Sequence, residues 1–163
     1  MPDPALRTGH LRIEVADPQG SAALTLLRAA AEEARALYPE LQDAAAAWPT
    51  NPPTPARGIY LVARVDALVV GMGAIRPIDG RSAEVRRLYV LPAHRRLGVA
   101  RRILAELERQ ALHFGYCVLR LETGDRQLAA QRLYEACGFR RIEAFAPYIG
   151  DPTSVCFEKP LPG

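Results

Sequence analysis

Six consecutive residues, Arg95-Arg96-Leu97-Gly98-Val99-Ala100, set guanidinium charge beside the small side chains of Gly98 and Ala100. Small residues let a ligand approach the backbone closely. The first turn of a helix leaves N–H donors unpaired, and its dipole favours negative charge there. Together with the flanking arginines, this chemistry suits a diphosphate. Two elements must hold such a cradle in place. Val85-Arg86-Arg87-Leu88-Tyr89-Val90 reads as a strand broken by Pro92. From near Gly98 to Phe114, the residues Val99, Ile103, Leu104, Leu107, Ala111 and Phe114 recur at helical spacing.

The remaining elements follow from patterning. His10 to Ala16 alternates as a short strand, and Pro18 with Gly20 ends it. Ser21 can cap a helix whose stripe is Leu24, Leu27, Ala31, Ala34 and Leu37, stopping by Pro39. Glu40 to Ala47 reads as a short second helix. Trp48 to Gly58 holds Pro49, Pro52, Pro53 and Pro55, so it reads as an ordered loop. Its Trp is either a wall of a pocket or the pin of a surface connector. Ile59 to Ala63 and Leu68 to Val70 are strands about an Asp66-Ala67 turn, and Asp79-Gly80 turns into the strand ending at Val90. Gly71-x-Gly73 lacks a third glycine, the position being Arg76, so these glycines relieve crowding inside a strand. Tyr116 to Glu122 is a strand, Leu128 to Cys137 a helix, and Phe139 to Ala144 and Ser154 to Glu158 closing strands. The order predicts one α+β domain over residues 1–163, a mixed, mostly antiparallel twisted sheet with helices on both faces.

Composition bounds the partners. A chain of 163 residues, 49% hydrophobic and 24% charged, suits one soluble domain with its own core. Arg86, Arg87, Arg95, Arg96, Arg101 and Arg102 cluster around the cradle. No aromatic platform interleaves with them, which argues against nucleic acid. Cys117, Cys137 and Cys156 fit no zinc or redox spacing and read as buried, reduced thiols. No apolar leader or bilayer-length run is present, so no membrane partner is expected and a reducing cytoplasm is the expected compartment.

Arg95-x-x-Gly98-x-Ala100, preceded by Leu88-Tyr89-Val90 and Pro92, resembles the acyl-CoA motif of the GNAT superfamily of N-acyltransferases. The resemblance continues through Leu121-Glu122-Thr123-Gly124, Ala130 and Leu133-Tyr134-Glu135-Ala136-Cys137-Gly138-Phe139. It covers roughly residues 59–160, with residues 10–58 matching in outline. The resemblance implies acetyl-CoA as acyl donor, with its pantetheine on Leu88, Tyr89 and Val90. The diphosphate would lie on Arg96, Leu97, Gly98, Val99, Ala100 and Arg101, while Arg95 shapes the turn or contacts phosphate. Gln127 stands where many members carry an Asn for pantetheine, and Ala100 replaces a commoner glycine.

Acyl transfer needs a neutral amine, a polarised carbonyl and a protonated leaving thiolate. Glu84 is the candidate base, because strand alternation sends residues 84, 86 and 88 to one face. An ion pair with Arg76 or Arg86 is the competing role, and Glu122 the alternative base. The resemblance makes Tyr134 the general acid, and the Val90 N–H could polarise the carbonyl. His10, His94 and His113 form no metal-binding or nucleophilic set, so no metal is expected, and no base flanks Cys117 or Cys137 for an acyl-enzyme. The implied activity is acetylation of a small-molecule primary amine, mono-amine or amino-acid-like, since no dense acidic cluster awaits a polycation. A protein lysine or N-terminus is the alternative acceptor, and a non-catalytic acyl-CoA-binding regulatory module the alternative of another kind. A homodimer is a candidate assembly.

Overall fold

The computed structural model describes residues 10–43 and 45–163. One seven-stranded sheet runs in the order β1-β2-β3-β4-β5-β7-β6. The strands are β1 (Leu11–Val15), β2 (Ile59–Val65), β3 (Leu68–Pro77), β4 (Ser82–Val90), β5 (Val118–Gly124), β6 (Arg140–Ile142) and β7 (Ser154–Pro160). Only β4 and β5 pair in parallel; every other neighbouring pair is antiparallel. The expected mixed α+β sheet is therefore present. Asp66, at φ 53°, makes the β2–β3 turn. The carboxylate of Asp79 accepts the N–H groups of Arg81 and Ser82, both at 2.8 Å, and closes the β3–β4 turn.

Helix α1 (Ser21–Leu37) covers one face and α2 (Val99–His113) with α3 (Leu128–Ala136) the other. Val99, Ile103, Leu104, Leu107 and Ala111 of α2 are all buried, as their spacing required. The helix presses so closely on β3 that a Cβ on Gly73 would lie 2.7 Å from Ile103 Cγ2. Relief of crowding is thus the role of Gly71 and Gly73. On the opposite face, Leu26 and Leu27 of α1 pack on Tyr60, Val62 and Met72.

Four expectations need correction. Ser21 is the first helical residue; Gly20 occupies the cap and no side chain caps the helix. The Asp17 carboxylate and carbonyl take the Gln19 and Gly20 N–H groups, so the turn is closed before Ser21 is reached. Within Glu40 to Ala47 only a 3-10 turn, Pro39–Leu41, forms; residue 44 of that span lies outside the described residues. Asp43 accepts the Ala45 N–H, and Leu41 is exposed, so neither backbone nor burial favours a helix. Cys156 is buried, but Cys137 is half-buried and Cys117 exposed; all three are unpaired.

The fourth correction matters most for chemistry. Ala74 pairs with Arg86 and Met72 with Tyr89, so Arg87 and Leu88 together oppose one residue of β3. Arg87 sits at φ 60°, the mark of a bulge. The bulge reverses the alternation. Ala83, Val85, Leu88 and Val90 face α2, whereas Tyr89 packs with the α1-side cluster. Glu84, opposite Arg76, and Arg86, opposite the α1-side Ala74, therefore share a face with Tyr89 and not with Leu88.

Candidate active site

The parallel β4–β5 ladder consists of Ser82↔Val118, Ala83↔Leu119 and Glu84↔Arg120. Beyond it the strands part: β4 continues with β3, and β5 with β7. The β5-facing backbone of the second half of β4 is left without a strand partner, an edge inside the sheet. A cleft of about 1360 Å³ opens from this gap to the N-terminus of α2. Leu88, Tyr89 and Val90 line it at the gap; Arg95, Arg96, Gly98, Val99, Ala100 and Arg101 line it at the helix; Gln127 and Tyr134 line it from α3. Leu97 and Glu84 do not line it.

At the helix end, Gly98 adopts φ 86° and no side chain caps α2. A Cβ there would meet nothing within 4 Å, so backbone conformation rather than space calls for glycine. The Gly98 carbonyl takes its first helical bond from the Arg102 N–H at 3.1 Å, so the preceding N–H groups have no intrahelical acceptor. Arg95 is committed elsewhere: Nε donates to the Val90 carbonyl at 2.9 Å and Nη2 to Glu33 at 2.7 Å. It shapes the turn. That guanidinium also holds the Glu33 carboxyl below its ordinary range.

Tyr134 is 6% exposed and its ring packs against Phe139 and Phe157, each 5.9 Å between centroids. Burial raises its phenol pKa strongly. Gln127 is exposed at the start of α3. Glu84 is buried, accepting Arg76 Nε at 3.0 Å and the Tyr148 hydroxyl at 2.5 Å. Burial, then that bond, pushes the Tyr148 phenol up to about 12.

Glu122, by contrast, lines the cleft and accepts the Ser154 hydroxyl at 2.7 Å. Desolvation raises its pKa, with the Ser154 bond acting in the opposite direction. A carboxylate that lines the cleft is within reach of a group bound there. Strand patterning offers Glu122 as the alternative base, and the Arg87 bulge, which separates the faces of Glu84 and Leu88, leaves no sign in a simple alternation. Arg132 was not singled out, yet it lines the cleft with Ala129, Leu133 and Ala136. Their helical spacing was the available signal. Trp48 stacks between Arg28 and Arg35, at 3.6 and 3.5 Å, as the pin of the proline-rich loop rather than a cleft wall. Among the described residues, no His, Cys, Asp and Glu group could hold a metal ion, and no helix is long and apolar enough to cross a membrane.

The fold is shared with known proteins. A crystal structure from Klebsiella pneumoniae, assigned as an acyl-CoA N-acyltransferase, is 35% identical with a TM-score of 0.76, covering 93% of this chain and 97% of that one. A GNAT acetyltransferase from Elizabethkingia anophelis with acetyl-CoA bound shares the fold, with a TM-score of 0.68 at 16% identity over 94% of this chain and 100% of that one. The IAA acetyltransferase of Azospirillum brasilense is 42% identical over 103 residues, 63% of this chain. That match spans about two thirds of the curated relative, 67% of its length. The model of the acetyltransferase (GNAT) family matches residues 23–139. A split parallel strand pair, an uncapped helix beside it and a family match across most of the sheet lead to one conclusion: the chain belongs to the acetyltransferase (GNAT) family.

Proposed function

We propose that this chain transfers an acetyl group from acetyl-CoA directly to a primary amine of a small molecule. The observation that carries the reading is one continuous cleft. It joins the unpaired edge of β4, the N-terminus of α2, Tyr134 and Glu122. Pantetheine amides would bond the β4 edge as an added strand does. The N–H groups of Val99, Ala100 and Arg101, with Arg96 and Arg101, suit the diphosphate. Gln127, and Leu97 through its backbone, remain candidates for the same ligand.

In the proposed reaction Glu122 takes a proton from the acceptor ammonium, freeing the nitrogen lone pair. That lone pair forms the new C–N bond, and a β4-edge N–H, with Val90 the candidate, stabilises the carbonyl oxygen. As the C–S bond breaks, Tyr134 gives its proton to the sulfur; the proton released by the acylated nitrogen returns through water to the Tyr134 oxygen, and Glu122 passes its own proton to solvent. A raised phenol pKa keeps Tyr134 protonated, the state a donor needs. Glu84 is proposed as a positioning residue, since its oxygens are bound by Arg76 and Tyr148. Three unpaired cysteines support a reducing, cytoplasmic setting.

The test has two arms. Acetyl-CoA should raise the melting temperature, because it binds the folded state. Thiol release should follow when amines are added. A thermal shift with no thiol release from any amine class would identify a binding module; no shift at millimolar acetyl-CoA would overturn the reading.

A further inference from the structure

Past the thioester end, the cleft carries more cationic than anionic charge. Arg86, Arg87 and Tyr148 line it there, together with Glu122. Glu84 cannot balance both arginines, because Arg76 already pairs with it at 2.9 Å. Arg86 Nη1 reaches Glu84 only at 4.0 Å and donates to the Tyr148 hydroxyl at 3.4 Å. Its Nε and Nη2 donate to no described residue. Arg87 has only neutral partners, Asn51 Oδ1 at 3.1 Å and the Thr50 carbonyl at 3.5 Å. Burial, then the like charge of Arg86, lowers its pKa. Two neighbouring guanidinium groups in a half-buried cleft repel unless an anion joins them.

We propose that the acceptor is an amine bearing a carboxylate beside its amino group, an α-amino acid or close analogue. Its carboxylate lies across Arg86 Nε and Nη2, and its amine points to Glu122. A planar guanidinium presents two parallel donors that match a carboxylate's two oxygens. Tyr148, held by Glu84 at 2.5 Å, occupies Nη1 and so fixes which edge of Arg86 stays open. Polyamines and protein lysines lack that carboxylate, and a protein N-terminus carries an amide in its place. The inference rests on the acetyl-transfer reading of the cleft.

The experiment compares each proteinogenic amino acid with its carboxamide as acceptor, by thiol release from acetyl-CoA. The amide keeps the amine and side chain, and stands in for a peptide N-terminus. At least one amino acid should exceed its amide by about tenfold or more in kcat/KM, chiefly through KM. Arg86→Gln should bring that ratio towards one, and Arg86→Lys should restore part of it. Acetyl-CoA consumed with amides as readily as with acids, with no amino acid at all, or with an unchanged ratio in Arg86→Gln would overturn the inference alone. Because the acid-to-amide ratio is read first in the unaltered protein, an unfolded variant leaves that test intact. Acetyl-CoA that neither binds nor is consumed would overturn the underlying reading instead.

Discussion

Replacing Glu122 by Gln keeps the shape of the side chain and an oxygen for the Ser154 hydroxyl, now 2.7 Å away, but removes the basic site. A positioned general base contributes about 100- to 10,000-fold. The lower end applies here, because the cleft is wide enough for water to relay a proton when Glu122 is lost. A fall of about 100-fold in kcat/KM corresponds to about 2.7 kcal/mol of transition-state stabilisation. The pH profile carries a second signature. Desolvation raises the Glu122 pKa, so the acidic limb of the wild-type profile should lie above the ordinary carboxylate range and disappear in the variant. Stability should move the other way. A carboxyl whose folded pKa is raised contributes stability at low pH that is lost as pH rises through that pKa. Glu122→Gln escapes the loss, so its melting temperature should exceed wild type at pH 8 and lose that advantage below about pH 4. Glu84→Gln is the control. It breaks a pair whose carboxylate is 4% exposed but whose arginine is 42% exposed. Its cost should be about 1–3 kcal/mol of stability, with the acidic limb retained. Thiol release and thermal melts from pH 5 to 9 measure all of this. Full turnover in Glu122→Gln with the limb intact, alongside loss of the limb in Glu84→Gln, would refute the assignment.

Tyr134→Phe should lower kcat by about 100-fold or more while acetyl-CoA affinity stays near wild type, since the ring's contacts with Phe139 and Phe157 persist; an unchanged kcat would remove the phenol from the mechanism. Gly98→Glu should abolish the acetyl-CoA thermal shift, because a side chain at φ 86° is strained and its charge faces the cradle; calorimetry with retained binding would contradict the cradle. Gly73→Ala should destabilise by about 1–3 kcal/mol, since its methyl would meet Ile103 Cγ2 at 2.7 Å; denaturant titration reads this directly.

Much of the frame was legible because it rests on local signals. The α2 stripe, the proline break after β4 and the Asp79-Gly80 turn each act within a few residues, and each forms as read. The glycine turn at Gly98 that opens α2 belongs to the same class. Most of what escaped depends on partners distant in sequence. The Arg87 bulge is set by register against β3, so alternation alone assigned Glu84 and Leu88 to one face. Trp48 gave no hint that two arginines of α1 would enclose it. Nearer in sequence, Asp43 competed for backbone donors where a helix was expected, and Cys117, in an apolar run, is exposed just before β5 begins. Arg86 was visible as charge, but the hydroxyl that takes up its Nη1 comes from Tyr148, 62 residues away.

Only three ladder rungs, between β4 and β5, join two blocks of the sheet, β1 to β4 and β5 with β7 and β6, which otherwise meet through one shared hydrophobic core and through side-chain contacts such as Tyr148 with Glu84 and Lys159 with Glu108. Local opening follows such seams, because few hydrogen bonds must break there. The two blocks are candidate separate exchange units, each retaining its own ladder when the seam yields. A ligand lying along the β4 edge between them would act as a splint. Its protection of amide hydrogens would extend well beyond the atoms it touches, to both flanks of the sheet.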